Sequence, residues 1–185
     1  MAKTVREVLN RAYEGLPTYR ATFADLNAPA GLAVTLKGAT GVIVRVKTVH
    51  VGVPAADQAP LSVRKYSTAE SAGTPGTTPQ LVPLDSTSPA ARATLAIYTA
   101  AATAGTLLGE VFEEDILARD SGVANQDIRG DRAHVEFGKN GCQAVTLRTA
   151  LEGMGIVLSA GSNPLNGYIE WTEEIATADP TPPVA

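Results

Sequence analysis

The sequence predicts an all-β protein, a β-sandwich or jelly roll of about nine or ten short strands with a short N-terminal helix or arm. Apolar and polar residues alternate with a period of two through most of the chain, as they do in half-buried strands. Gly occurs 17 times and Pro 12 times, which supplies frequent turn signals between short elements. Strand and helix patterns do not alternate, so a parallel sheet is not expected.

Composition limits the class of protein. At 185 residues and a net charge of -4, the chain fits one domain and carries no basic block of the kind that binds phosphates, so nucleic acid is not an expected partner. The single cysteine, Cys142, cannot form a disulfide within the chain. No apolar run reaches the roughly 20 residues of a membrane span, and the charged start lacks the apolar core of a secretory signal. These features predict cytoplasmic synthesis, no membrane partner and no cofactor.

The first element has a helical pattern. Apolar residues recur at helical spacing in "TVREVLNRAYEGL", where Thr4 and Glu7 fit a capping box, and Pro17 ends the pattern. Residues 1–16 are therefore expected to form either a helix on their own domain or an arm that docks on a neighbouring subunit. Residues 17–175 are expected to form a single β-sandwich domain, and residues 176–185 an extended Pro-rich tail.

Strands follow from Pro17 onward, and the strongest is "GVIVRVKTVHVGV". Its alternating valines from Val42 share one face, whereas those from Val49 lie on the opposite parity. Because strict alternation cannot change faces, the sequence predicts a β-bulge or a strong kink near Lys47 or Thr48. The other inward positions expected here are Tyr19, Ala21, Phe23, Leu32, Val34, Leu36, Leu61 and Val63.

A polar stretch over residues 64–90 has almost no large apolar side chains but contains four prolines, Pro75, Pro79, Pro83 and Pro89. These prolines restrict the chain and reduce the entropy lost when it becomes ordered. We therefore expect an ordered loop that crosses between the sheets, with "VPLDS" re-entering the sandwich. Contacts with neighbouring subunits are expected to hold it.

The C-terminal half predicts further strands. "ARATLAIYTAAATAGTLLGEVF" is expected to form strand, loop and strand, because its β-branched residues and Gly105 outweigh its alanines. Residues Glu113 to Ala133 are expected to be a surface excursion. A hairpin with a turn at Asn140 and Gly141 should follow. A last pair of strands should run through the loop "SNPLNG" and place Trp171 on a core face.

Candidate chemical groups are few. His50 and His134 each lack a second histidine or cysteine at metal-ligand spacing, so both are interpreted as ordinary strand residues. Cys142 would need a neighbouring histidine to act as a nucleophile and is interpreted as a small strand residue. "GKNG", residues 138–141, lacks the spacing of a phosphate-binding loop and is interpreted as a turn.

The remaining motifs are interpreted in the same way. Ser86 has no nucleophile-elbow glycines around it. "RGD" at Arg129 to Asp131 is a chance match to an integrin-binding tripeptide. Nothing fixes the separation of the acidic residues, which are expected to be solvated: Glu113, Glu114, Asp115, Glu170, Glu173 and Glu174. No catalytic, metal-binding or nucleic-acid-binding residue is predicted, the chain is not expected to be an enzyme, and the interface is left unassigned.

Three parts of the chain resemble small structural proteins of tailed bacteriophages. They are "VIVRVKTVHV" with "PLSVRKYSTAESAGT", then "VPLDSTSPAARATLAIYTAAATAGTLLG", and finally "LRTALEGMGIVL" with "YIEWTEE". In that family a strand pair leads into a Ser-, Thr- and Gly-rich loop, the "PLDS..PAA" segment re-enters the sheet, and a last strand ends in "EWTEE". The likeness covers residues 42–109 and 147–174. It departs from the family pattern at Ala72 and Gly73, where a Gly-Gly pair is expected, and at Glu152 and Gly153, where the order Gly-Glu is expected.

The resemblance implies a β-sandwich virion component, a capsid decoration or cement protein on the outer surface of the head. Its implied partners are the major capsid protein and its own copies in a homo-oligomer, with a trimer favoured over a dimer. The alternative is a head-fibre or tail adhesin module that binds host-surface glycan. Sugar sites stack on aromatic rings, and the only Trp is on a predicted core face. A third class, a hydrolytic enzyme on a jelly roll, would need clustered carboxylates or histidines, and the sequence does not supply them.

Overall fold

The computed structural model describes residues 15–52, 58–117, 132–139, 143–159 and 162–176. Every regular element in these ranges is a β-strand, so the predicted all-β class is confirmed, although the strands number 12 rather than nine or ten. The strands are β1 (Thr18–Ala28), β2 (Gly31–Lys37), β3 (Val42–Gly52), β4 (Gln58–Tyr66), β5 (Thr74–Pro75), β6 (Leu81–Pro83), β7 (Thr94–Ala102), β8 (Leu107–Leu117), β9 (Arg132–Glu136), β10 (Val145–Leu147), β11 (Gly153–Leu158) and β12 (Ser162–Ile175).

The strands form two antiparallel sheets, each of 6 strands. Sheet A has the order β10-β3-β12-β1-β6, and β9 pairs with β3 on the same edge as β10. Sheet B has the order β5-β7-β2-β11-β4-β8. Inward residues of both sheets join one buried cluster, the arrangement expected of a β-sandwich.

The core is filled mainly by β-branched and leucine side chains from the central strands of both sheets. Val44 of β3 and Ile169 of β12 face Val34 of β2 and Ile156 of β11 across it, and all four are fully buried. Trp171 is also fully buried, as its sequence position predicts, and its ring stacks on Tyr19 with centroids 5.9 Å apart. Each such side chain removed from water contributes about 1.5 to 3 kcal/mol.

The predicted bulge in β3 is confirmed at Lys47. Thr48 pairs with Glu170 and Val46 pairs with Trp171, so Lys47 is an extra residue with no partner position on β12. Val46 and Val49 are both buried while Lys47 is exposed. The bulge therefore keeps valines on the core face before and after the change of parity.

Residues 67–93, which we call the crossing segment, connect β4 to β7. The segment first contributes β5 to the edge of sheet B, where Thr74 pairs with Ala100. It then contributes β6 to the edge of sheet A, where Pro83 pairs with Tyr19, before returning to β7 in sheet B. The predicted ordered loop that crosses between the sheets is confirmed, and so is the return of "VPLDS" to the sandwich.

The strand, loop and strand predicted after the crossing segment are confirmed as β7 and β8, but three later predictions need correction. Residues 113–117 continue β8 and residues 132–133 begin β9, so the surface excursion can cover no more than residues 118–131, which lie outside the described ranges. β9 and β10 do not form a hairpin: each pairs with β3, and both run in the same direction along it. "SNPLNG" is the first part of β12 rather than a loop, and β11 and β12 belong to different sheets.

The two ends of the chain are described only in part. The N-terminal helix or arm predicted over residues 1–16 lies outside the described residues except for its last two positions. Of the tail predicted over 176–185, only Ala176 is described, and its N–H donates to the carbonyl of Gly41 at 3.1 Å.

Candidate functional site

The longest open edge in the described part of the chain belongs to β8. This strand has 11 residues and pairs on one side with β4. Its other side pairs with no strand within the described ranges. An open edge offers backbone N–H and C=O groups to another chain.

Three of the seven exposed large apolar side chains among the described residues lie on this strand. Leu107 and Leu108 are 52% and 57% exposed, and Val111 is 38% exposed. The neighbouring Glu113 and Glu114 are exposed as well. β8 thus combines an open edge, apolar side chains and negative charge, which suits contact with another protein. We call Leu107, Leu108, Val111, Glu113 and Glu114 the β8 surface.

A second group of side chains lies on the outward face of sheet A, where the register places His134, His50 and Tyr168 side by side on β9, β3 and β12. The rings of His50 and His134 have centroids 5.5 Å apart at an interplanar angle of 60°. On its other side, His50 stacks on Tyr168 at 5.1 Å. Burial, the charge of His134 and the charge of Arg132 lower the pKa of His50 below its ordinary value.

Charged residues flank this row. Arg20 lies over the ring of Tyr168, 4.6 Å from its centroid, and donates to Glu170 at 2.5 Å. Glu136 forms an ion pair with Lys139. This contact and the charge of His134 lower the pKa of the Glu136 carboxyl, although partial desolvation acts in the opposite direction.

A cleft of about 730 Å³ opens beside Glu136 and Glu170, and Lys47, Leu84 and Phe137 also line it.

A buried carboxylate fixes the beginning of the crossing segment. The Glu70 side chain is only 4% exposed and forms an ion pair with Lys37 at 2.6 Å. It also accepts a hydrogen bond from the Tyr98 hydroxyl at 2.5 Å. Burial disfavours its charge, but the hydrogen bonds from Lys37 and Tyr98 outweigh burial and lower its pKa. Burial and the bond to Glu70 raise the pKa of Tyr98. Tyr98 itself belongs to a second buried cluster, with Leu32, Tyr66 and Ala102.

Another buried carboxylate fixes the end of the segment. Glu173 accepts hydrogen bonds from the backbone N–H groups of Arg92 and Ala93 and from Nε1 of Trp171, at 2.9 to 3.1 Å. The Tyr19 hydroxyl donates to the carbonyl of Pro89 at 3.0 Å. Burial and the nearby Glu173 raise the pKa of Tyr19. Both ends of the segment are therefore ordered by contacts within one chain.

The acidic residues considered as candidate sites do not converge. Glu113 and Glu114 are on β8, Glu170 pairs with Arg20, and Glu174 pairs with Arg45 on the face opposite to Glu173. Ser86 is exposed in the crossing segment. Cys142, the turn residues Asn140 and Gly141, and the RGD tripeptide lie outside the described ranges. Sequence spacing missed the pairing of His50 with His134, because 83 positions separate them and only sheet register brings them together.

Comparisons with known proteins add no relative. No family model, curated protein or solved structure matches this chain. Across the residues that the structure describes, no helix has the length and apolar character needed to cross a membrane.

Proposed function

We propose that this chain is a structural protein of a tailed-bacteriophage virion, a capsid decoration or cement protein that binds the major capsid protein and its own copies on the outer surface of the head. The sequence resemblance over residues 42–109 and 147–174 motivates the proposal. These residues make up β3 to β7, the first three residues of β8, all of β11, and β12 except its last residue. An N-terminal helix or arm, a jelly-roll arrangement of the strands and a trimeric assembly belong to the same proposal.

The observation that carries the proposal is the β8 surface. A decoration protein adds many copies to a fixed lattice and so needs a rigid body with an adhesive edge. The sandwich supplies the rigid body, and β8 supplies an open strand edge with exposed Leu107, Leu108 and Val111.

Charge favours one occupant of this surface. Pairing β8 with β8 of a second copy would bring the acidic groups of the two strands, including Glu113 and Glu114, close together. A capsid surface carrying Lys or Arg beside apolar residues complements the strand better. We therefore assign the β8 surface to the major capsid protein and leave contacts between copies to other surfaces.

The adhesin alternative is less well supported by the aromatic side chains. Trp171, Tyr19, Tyr66 and Tyr98 are all buried, and the ring of Tyr168 is covered by Arg20. A sugar site that depends on stacking would need exposed rings. Among the described residues, these side chains do not present such a surface.

The test is a binding assay with capsids of the same phage prepared without this protein. We expect wild-type protein to saturate these capsids, and Val111→Lys to reduce the affinity at least about tenfold by placing a charge in the apolar contact. Val82→Lys is the matched control, because Val82 is a valine of similar exposure, 45%, on the edge strand β6 of the other sheet.

Two outcomes would contradict the proposal. Failure of wild-type protein to bind the capsids, together with binding to host-surface polysaccharide, would favour the adhesin alternative. Equal losses for Val111→Lys and Val82→Lys, or no loss for either, would reject the β8 surface as the capsid contact.

A further inference from the structure

The chain contains only two histidines, and the fold places them opposite each other. His50 of β3 and His134 of β9 are direct partners in the antiparallel register. Side chains at such positions lie within reach of each other on one face of the sheet. The only two imidazoles of the chain, both potential metal ligands, are therefore next to each other in the folded protein.

The geometry of the pair is suited to sharing a metal ion. Zn²⁺ binds imidazole nitrogen at about 2.0 to 2.1 Å, which puts the centroids of two rings on one tetrahedral ion roughly 5 Å apart. The observed separation is 5.5 Å. The spacing of the two rings is therefore close to that of two imidazoles on one ion.

A second observation points to a missing partner. Nδ1 of His50 is buried and has no hydrogen-bond partner, a condition shared among the described side chains only with Oγ1 of Thr35. Buried polar atoms are nearly always paired with protein, water or an ion.

We propose that His50 and His134 bind one divalent late first-row transition metal ion, such as Ni²⁺, Cu²⁺ or Zn²⁺, which links the edge strand β9 to β3. No group of three or more His, Cys, Asp or Glu side chains in the described ranges is arranged to hold a metal. Water therefore completes the coordination shell. Imidazole ligands select these ions over Mg²⁺ and Ca²⁺, which prefer oxygen.

The surrounding charges set the strength of the site. Glu136 lies on the same face of β9, with its Oε1 4.0 Å from Nε2 of His134, and its negative charge favours a cation. The positive charge of Arg132, also on β9, disfavours a bound cation. Arg20 and Glu170, from β1 and β12, form an ion pair next to Tyr168 and leave little net charge on that side. A two-histidine site in this setting should bind weakly, at micromolar or higher metal concentration.

The proposal is tested on the full chain prepared without a histidine tag. Equilibrium dialysis against NiCl2 or ZnCl2 should give one bound ion per chain, and MgCl2 should give none. His50→Gln and His134→Gln should each weaken binding by roughly tenfold or more. Cys142→Ser is the control, because the only thiol of the chain could also bind these metals, and it should leave binding unchanged.

A spectroscopic measurement on wild-type protein avoids any effect of the substitutions on folding. The ring protons of the two histidines are the only imidazole signals in the NMR spectrum, and paramagnetic Ni²⁺ should broaden both at the same metal concentration. Broadening of one ring alone, or of neither, would overturn the proposal. Unchanged binding in His50→Gln or His134→Gln would also overturn it. Neither measurement involves capsids, so failure of the metal site is distinguishable from failure of the proposed function.

Discussion

At the scale of single residues, Glu173 is the side chain on which the end of the crossing segment depends most. It is 7% exposed, and its carboxylate accepts from two backbone N–H groups and the indole N–H. Glu173→Ala would leave three donors without a partner in a dry site. We expect a loss of about 3 kcal/mol in the free energy of unfolding, measured by urea denaturation.

The neighbouring residue provides the control. Glu174 lies on the outward face of the same strand and pairs with Arg45 where its side chain is 41% exposed. Glu174→Ala should cost less than about 1 kcal/mol, because exposed ion pairs contribute little. Similar losses for the two variants would show that the bonds of Glu173 do not carry the stability assigned to them.

Ala72 is a second residue with a measurable consequence. Its φ is 55°, in the left-handed region that alanine adopts only at a cost. We expect Ala72→Gly to stabilise the fold by about 0.5 to 1 kcal/mol, as measured by urea denaturation. Ala100→Gly, in the strand β7, should destabilise it by a similar amount. If both substitutions destabilise, Ala72 is not strained in the folded protein.

The residue scale also shows where sequence reasoning stops. The burial of Trp171 could be predicted because alternation along one strand fixes which face each residue occupies. The meeting of His50 and His134 could not, because it depends on which strands become neighbours and in what register. Sequence spacing encodes the first relation and not the second.

At the scale of elements, the bulge in β3 makes a sharp prediction. Deleting Lys47 would leave Val46 next to Thr48, so regular alternation would keep Val49 and Val51 on the core face and His50 outward. We therefore expect the deletion variant to fold, as seen by far-UV circular dichroism. Deleting Arg45 also removes one residue from this strand, but it would turn Val46 outward and Lys47 into the core, so that variant should lose the folded state. Loss of folding in the Lys47 deletion variant would contradict the role of the bulge.

β9 and β10 show why a local pattern can mislead. "GKNG" carries turn residues between two alternating stretches, which is the usual signal of a hairpin. Instead, each stretch pairs with β3: Val135 pairs with Val49, and Val145 pairs with Val46. The strand that satisfies their backbone groups comes about 90 residues earlier in the chain. Turn signals predict that the chain bends, but not which strand it will join.

The start of the crossing segment should respond to pH through Glu70. The pKa of this carboxyl is lower in the folded protein than in the unfolded chain, so its contribution is present above the unfolded pKa and is lost as the pH falls through the folded one. At pH 6, Glu70→Gln should reduce the free energy of unfolding by about 1 kcal/mol. The difference from wild type should shrink towards pH 3.

The matched control for this measurement is Glu113→Gln on the exposed part of β8. We expect this variant to show little difference from wild type at either pH. Hydrogen exchange in residues 67–73 gives an independent readout and should become faster at low pH than the intrinsic exchange rate predicts. A Glu70→Gln difference that grows as the pH falls would have the wrong sign and would reject the ion pair with Lys37.

At the scale of the whole molecule, the crossing segment links the two sheets into one unit. It adds β5 to sheet B and β6 to sheet A, and Glu173 of sheet A binds the backbone directly before β7 of sheet B. Neither sheet can open fully without breaking these contacts. Both sheets also contribute to one buried cluster, so separating them would expose the core of each.

We therefore expect one cooperative unfolding transition. Trp171, the only tryptophan, is fully buried in the shared core and reports on it through fluorescence, whereas far-UV circular dichroism reports on the strands of both sheets. The two signals should have the same urea midpoint within error, because sheet pairing and core packing are lost together. In Glu173→Ala both midpoints should fall by the same amount. If the fluorescence transition precedes the loss of strand signal, in wild type or in the variant, the sheets separate before they unfold and the crossing segment does not couple them.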